Sequence, residues 1–324
     1  MLTIGILGDV MLGRAVGERL NTVSPADVWS PELRDLCGGC DLLICNLECC
    51  ISDRGSQTER VPGKPFFFRA PPQAVDSLRA IGVQAVGLAN NHALDYEEQA
   101  LLDTLDVLVR SGIAVAGAGE SEERARRGVI IEAAGVRLGL LAVSDHPRQY
   151  AAGPMTAGIA HARLERRLPT WVARELERLA EACELVIAFP HWGPNMGEDP
   201  ASWQRRAAGE LQAHGANLVA GHSAHVFHGI GWGKGGPLLF DLGDALDDYA
   251  VDPRLRNDLG VAAFWRPGDG EELELAGLTL DFCRTELAAG DDADWIARRL
   301  ERACPPLGTA VERLAEDRFR ISPR

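Results

Sequence analysis

Short apolar runs alternate along this chain with longer stretches in which apolar positions recur every three to four residues, the pattern of an α/β protein. The runs predict strands at Thr3–Leu7, Leu42–Cys45, Gln84–Leu88, Ala114–Ala116, Val129–Ile131, Arg137–Val143, Leu185–Phe189, Asn217–Val219, Leu238–Phe240, Gly260–Trp265 and Glu274–Leu280. The helical spacing predicts helices at Gln73–Ala80, Glu97–Arg110, Arg163–Ala182 and Ser202–Ala213. Within the third of these, Trp171, Leu176, Leu179 and Cys183 form a stripe suited to docking on a sheet. Gly112 and Gly215 fall where helix C-caps belong. From Asp291 onward the pattern predicts two more helices, divided by Pro305–Pro306. Ser52–Pro72, rich in proline and glycine, reads as a long loop of the functional or mobile kind. Without repeats or low-complexity linkers, one domain is expected over residues 1–290, with 291–324 as a helical extension packed on it.

Composition narrows the classes. A chain of 324 residues, 46% hydrophobic, can bury a substantial core. A formal charge of −14 argues against duplex nucleic acid or an anionic membrane as the main partner. Lys64 and Lys234 are the two lysines among 33 basic residues, a ratio read as codon bias. No apolar stretch is long enough to span a membrane, and the N-terminal MLTIGILGDVMLGR reads as a core strand rather than an export signal. Five of the eight cysteines crowd into Cys37–Cys50, poor geometry for cross-linking a large domain, so reduced thiols in a cytoplasmic protein are expected. Cys37-Gly-Gly-Cys40 offers half a zinc site or a redox pair; small buried side chains beside a glycine turn are the more economical account.

The chemistry sits at the strand ends. Thr3–Leu7 runs into Gly8-Asp9, Leu42–Cys45 into Asn46-Leu47-Glu48, and Gln84–Leu88 into Asn90-Asn91-His92. Leu185–Phe189 runs into Pro190-His191-Trp192, and Asn217–Val219 into Gly221-His222-Ser223-Ala224-His225. Carboxyl ends of strands form the ligand crevice of α/β sheets. Gathered there, these oxygen and nitrogen donors suit one or two divalent ions of manganese, zinc or iron better than calcium or magnesium. Neither a dinucleotide or P-loop glycine pattern nor a Gly-x-Ser-x-Gly elbow is present.

This order of motifs resembles the calcineurin-like metallophosphoesterase superfamily, specifically its CapA-like branch associated with poly-γ-glutamate capsule synthesis. The residues carrying the resemblance are Gly8-Asp9-Val10-Met11-Leu12-Gly13-Arg14, Asn46-Leu47-Glu48, Asn90-Asn91-His92, His191-Trp192-Gly193-Pro194-Asn195, Gly221-His222-Ser223-Ala224-His225 and Asp241 through Tyr249. The resemblance implies a four-layer α/β/β/α fold. It also implies metal ligation by Asp9, Glu48 (in the bridging place), Asn91, His191, His222 and His225, with His92 touching substrate or protonating the leaving group. Met11 stands where the superfamily usually has histidine, and the final pair is spaced His-x-x-His rather than His-x-His. One metal position therefore lacks its usual imidazole.

Several roles stay open on sequence alone. Asp95 either orients His92 or caps the helix beginning at Glu97. Arg14 either grips a substrate phosphate or carboxylate or makes a surface ion pair. Asn195 is placed in the same cleft. His146, in Asp145-His146-Pro147, is a substrate contact, a further ligand or a hydrogen-bonded loop residue, and His228 a further ligand or a core residue. Asp244, Asp247 and Asp248 are either partners of metal-bound histidines or a solvated turn. Metal-dependent hydrolysis of a phosphoester in a small anionic metabolite leads. The alternatives are amide or γ-glutamyl chemistry on a peptide substrate and a non-catalytic role in polymer assembly. Capsule proteins of this branch are commonly membrane-anchored; the absence of an anchor here suggests a cytoplasmic relative.

Overall fold

In the computed structural model, which describes residues 2–268 and 271–324, two sheets lie face to face between helices. The larger, ten-stranded sheet centres on Ile4–Val10, paired in parallel with Leu42–Leu47 and antiparallel with Leu259–Arg266. Ala85–Gly87 and Ala114–Ala116 extend it on the first side, Glu272–Leu280 on the second. The six-stranded sheet is built around Leu185–His191, flanked in parallel by Val136–Ser144 and Leu218–Ala220. Alternation along these strands separates two cores. Leu138, Leu140, Ala142, Ile187, Phe189, Leu218 and Ala220 face the larger sheet. Leu141, Val143, Val186, Ala188 and Val219 instead join Val172, Leu176 and Leu179 of the helix Thr170–Ala182 and Ala207, Ala208 and Leu211 of the helix Ser202–Ala213. The four-layer α/β/β/α arrangement expected from the sequence is thus present.

Where boundaries move, the reasons are local. The helix predicted from Arg163 begins at Thr170, because the residue before a proline avoids helical conformation and Pro169 sits at the N-cap. Gly112 and Gly215 do follow helix ends, at φ of +75° and +111°. The second C-terminal helix is a misreading. After the helix Gly290–Ala303, Thr309–Arg313 and Arg318–Pro323 form a β-hairpin whose second strand pairs with Leu273–Ala276 of the larger sheet. The period-two alternation of Arg318, Phe319, Arg320 and Ile321 buries Phe319 and Ile321, and this pattern signals a strand. Ser52–Pro72 is largely irregular, as expected, and much of it is exposed, but it carries the Lys64 side chain, 8% exposed, and the buried Phe68 inward.

Parallel pairing lines up the carboxyl ends of the strands. Asp9 lies in register with Asn46 on one neighbour and Asp244 on the other. Gly8 permits this: any Cβ there would sit 1.8 Å from the Gly243 carbonyl oxygen. An isolated bridge joins His191 to His222 across the ends of their strands.

Candidate metal centre

Asp9, Glu48, His191, His222 and His225, spread over more than two hundred positions, converge in the interior, each at most 7% exposed. One ligand atom from each of Asp9, His191 and His222 lies within 4.8 Å of the others, and the same holds for Asp9, Glu48, His225 and Asp244. Asp9 is common to both groups. Glu48 spans them, with Oε1 3.9 Å from His191 Nε2 and Oε2 3.9 Å from His225 Nδ1. The two histidines of His-x-x-His divide: His222 Nδ1 is 3.7 Å from Asp9 Oδ1, whereas His225 Nδ1 is 3.5 Å from Asp9 Oδ2 and 2.8 Å from Asp244 Oδ1.

Asn46 and Asn90 are scaffolding. Asn46 Nδ2 donates to Asp9 Oδ1 at 2.7 Å, and Asn90 Nδ2 donates to the Leu47 carbonyl at 2.8 Å. Asn90 Oδ1 accepts from the His92 backbone N–H at 3.0 Å, fixing the Asn91-His92 turn. Met11 is fully buried, its sulfur accepting from the Gly13 backbone N–H, and takes no part in either group. Asp244 arrives instead as the additional carboxylate beside His225. Sequence reasoning left it open between a partner of a metal-bound histidine and a solvated turn, and its contact with His225 Nδ1 fits the partner.

The fit of these residues to a divalent cation rests on atoms with nothing else to bind. Both Glu48 oxygens, Asn91 Oδ1, His191 Nε2, His222 Nε2 and Asp244 Oδ2 are buried with no hydrogen-bond partner among the described residues. Each such group buried alone costs free energy, several kcal/mol for a charge. Glu48, His191, His222 and Asp244 among these belong to the two groups that share Asp9, a mixed oxygen and imidazole set with the donor chemistry of manganese, iron or zinc.

Burial also sets the protonation of the metal-free site. It pushes Asp9 up to about 6 and Asp241 up to about 8, and holds Glu48 and Asp244 well above the carboxylate range. His222 is pushed down to about 3 by burial and by His225. For His225 burial acts downward, but Glu48, Asp9 and Asp241 prevail and raise it. A carboxyl whose folded value is raised stabilises the fold at low pH and loses that contribution as pH climbs through the folded value. Depressed histidines destabilise only as pH falls below 6.5, their ordinary value. Between pH 6.5 and 8 the raised carboxyls and the raised His225 are therefore in play, and all of them lose stability as pH climbs. Chelated protein is expected to lose on the order of 1–2 kcal/mol over that window, several degrees in Tm, while metal-loaded protein stays flat. Thermal melts with and without EDTA at the two pH values check this; parallel curves would refute it.

Beside the metal-competent atoms stands His92. Its Nδ1 is 2.6 Å from Asp95 Oδ2, and its ring stacks on Phe68 at 3.9 Å between centroids. Asp95, fully buried, also accepts from the Phe68 backbone N–H (2.7 Å) and the Tyr150 hydroxyl (3.0 Å), with Lys64 Nζ at 3.2 Å. It makes no side-chain cap for the helix Glu97–Arg110, so the orienting reading is the one the geometry favours. Burial pushes His92 down to about 4 despite Asp95, so the ring is neutral at pH 7. Lys64, Phe68 and Tyr150 were missed by sequence reasoning. The one available signal was that Lys64 is a rare lysine in an arginine-rich chain.

A cavity of about 300 Å³ opens beside this point, lined by Arg14, Phe66, Phe68, His92, Asn195, His225 and Tyr249, among others. Arg14 both lines it and pairs with Asp248 (3.3 Å), its guanidinium 5.5 Å from the Phe68 ring centre. Asn195 also borders a second cavity, of about 710 Å³, holding His146, Asp145, Arg163 and Trp203. His146 lies there, paired with Asp145, its ring 5.3 Å from that of His191. His228 stands apart, buried, with Nε2 on the Gly197 carbonyl at 3.0 Å.

The cysteine pair lies elsewhere. Burial pushes Cys37 up to about 12 and Cys40 to about 11, so both stay thiols, and among the described residues neither joins a group of metal-competent side chains. Replacing both by serine is expected to leave bound metal unchanged by elemental analysis; loss of one equivalent would contradict this.

Two sheets between helices, with carboxylates and imidazoles gathered at the carboxyl strand ends, define the calcineurin-like metallophosphoesterase class. Within that class, the family model described as "Bacterial capsule synthesis protein PGA_cap" matches residues 3–249, and the chain belongs to this family. It is 28% identical to the probable polyglutamine synthesis accessory protein Rv0574c of Mycobacterium tuberculosis, over 100% of this chain and 96% of that protein. Similarity to the PGA biosynthesis protein CapA of Bacillus subtilis is 25%, over 76% of this chain and 64% of that one. A hypothetical protein from Thermus thermophilus, known from its crystal structure, aligns with a TM-score of 0.45 at 16% identity, over 88% of this chain and 96% of that one. That likeness is too distant to argue from. No helix among the described residues is long and apolar enough to cross a membrane.

Proposed function

We propose that this protein is a divalent-metal-dependent hydrolase of a small anionic substrate, with a phosphoester as the leading bond cleaved. The carrying observation is the pair of buried groups sharing Asp9, whose members Glu48, His191, His222 and Asp244 carry unpartnered donor atoms, beside an oriented His92. A cation held by these residues, with Asp9 and His225, supplies Lewis acidity toward the substrate oxygen.

The remaining work falls to the chain's own groups. Asp95 occupies Nδ1 of His92, so Nε2 is the nitrogen free to move a proton: bare in the neutral ring, it takes one from the attacking water and passes it to the leaving oxygen. Phe68, by stacking, holds the ring plane, and Tyr150 and Lys64 hold the carboxylate that orients it. Arg14, half-exposed at the cavity, offers N–H donors to a phosphate or carboxylate, and Asn195 an amide. Substrate binding by His146 belongs to the neighbouring cavity, where it would meet the far side of a larger substrate.

A second reading has its own support. Relatives named for polyglutamine synthesis and PGA biosynthesis favour hydrolysis or transfer at a γ-glutamyl amide. Elemental analysis, followed by assays of p-nitrophenyl phosphate and γ-glutamyl p-nitroanilide in Mn²⁺, separates the readings. Turnover of the phosphate supports the first and of the anilide the second. A chain that takes up no metal and is inert to both would leave a non-catalytic role in polymer assembly.

A further inference from the structure

Away from the metal centre, the helix Gly290–Ala303 presents Trp295, Arg298, Arg299 and Arg302 at helical spacing of three and four residues, on one face. With Arg254 from another loop, and Glu198, they line a cavity of about 530 Å³. Four guanidinium groups there meet one carboxylate, in a protein whose overall charge is −14. Glu198 is paired with Arg254 and lies 3.7 Å from Arg302. Arg298 has no ion-pair partner among the described residues.

Arg299 is the sharper anomaly. It is 4% exposed, and its hydrogen bonds go to two neutral carbonyls, Phe227 at 2.9 Å and Glu198 at 3.1 Å. No carboxylate among the described residues reaches it within salt-bridge distance, and its guanidinium stacks 5.1 Å from Phe227 and 5.4 Å from Trp295. A guanidinium has five N–H donors; no Arg299 nitrogen is a buried atom left without a partner among the described residues, so the donors not used on these carbonyls open onto the cavity it lines. Burial and the neighbouring Arg302 both disfavour its charge. The helix macrodipole accounts for a cation in the last turn, but not for Arg254, and like charges at this spacing destabilise the helix. The arrangement is what an oxyanion would complete, since guanidinium pairs bind carboxylate and phosphate in bidentate fashion.

We propose that this arginine-lined cavity is a second anion site, taking a phosphate or carboxylate group between Arg254, Arg298 and Arg302 above the buried Arg299. All four arginines lie beyond the residues 3–249 matched by the family model, so the family's shared motifs do not include them. The site adjoins the catalytic cleft. Glu198 is two residues from Met196, which lines the cleft, so at most about 7 Å of backbone separates their Cα atoms. An anion on the arginines takes the place of Glu198 as their counter-charge, beside a segment whose Gly197 carbonyl is held by His228.

The test uses inorganic phosphate as probe and calorimetric titration of metal-loaded protein. Arg298→Ala with Arg302→Ala, both at the cavity rim, should fold normally and lose one phosphate equivalent, or weaken it at least tenfold. Asp9→Asn, which removes the metal centre but not the arginines, should keep that same equivalent. This keeps failure of the anion site distinguishable from failure of the hydrolase reading. Two sources of the anion separate in kinetics: a raised KM in the arginine variant, only for substrates with a second anionic group, marks the substrate's distal end. An unchanged KM with the lost phosphate equivalent marks a free anion. Wild-type phosphate stoichiometry and affinity in the double arginine variant would overturn the proposal.

Discussion

Asp9→Asn is expected to abolish metal uptake and lower kcat/KM about a thousandfold or more, roughly 4 kcal/mol of transition-state stabilisation. The metal-free variant should nonetheless remain within about 1 kcal/mol of metal-free wild type. Asp9 is the residue common to both groups of candidate ligands, so this single change removes a donor from each. Its carboxylate accepts from Asn46 and from the Ser223 backbone N–H, and an amide keeps one of these bonds and loses the other. Against that loss stands relief from burying a carboxyl whose pKa burial has raised to about 6. A carboxylate whose role was a structural ion pair would behave differently, because removing it costs about 3–5 kcal/mol. Metal content, turnover and chemical unfolding on the same preparations decide the matter. Retained metal, or a collapse in stability without loss of metal, would count against Asp9 as the shared ligand.

Removing the His92 imidazole is the second large effect. His92→Ala should lower kcat by about 10²–10⁴ with bound metal unchanged, since proton transfer by a positioned side chain is worth that much. The loss should depend on the leaving group: large for an alkyl phosphate, small for p-nitrophenyl phosphate, whose leaving oxygen needs little protonation. His92→Gln, which refills the space stacked on Phe68, guards against a mere packing defect. Asp95→Asn should give a smaller loss with the same leaving-group trend, because it acts through the ring it orients. Equal losses for both leaving groups would remove proton donation from His92.

The positions of Asp9, Glu48, His191 and His222 were readable because a buried parallel strand is an unbroken apolar run, and a polar residue at its end stands out. Asn46 and Asn90 look equally polar in the same places. Only their hydrogen bonds to Asp9, Leu47 and His92 distinguish them, as groups that support the candidate ligands. The C-terminal hairpin was misread although Phe319 and Ile321 alternate correctly, because two proline-bounded segments after a helix look like more helix until the edge at Leu273–Ala276 is seen.

What the amino-acid order alone determined was the layered α/β architecture and the residue types waiting at five strand ends, since both follow from apolar periodicity within a few neighbours. Three things were decided only in the folded chain. Asp244 stands beside His225 while Met11 lies in the core, Lys64 and Tyr150 brace Asp95, and four arginines from two segments share one cavity. The reason is distance along the chain. These groupings depend on strand register and loop path, which bring together residues whose local surroundings carry no trace of one another.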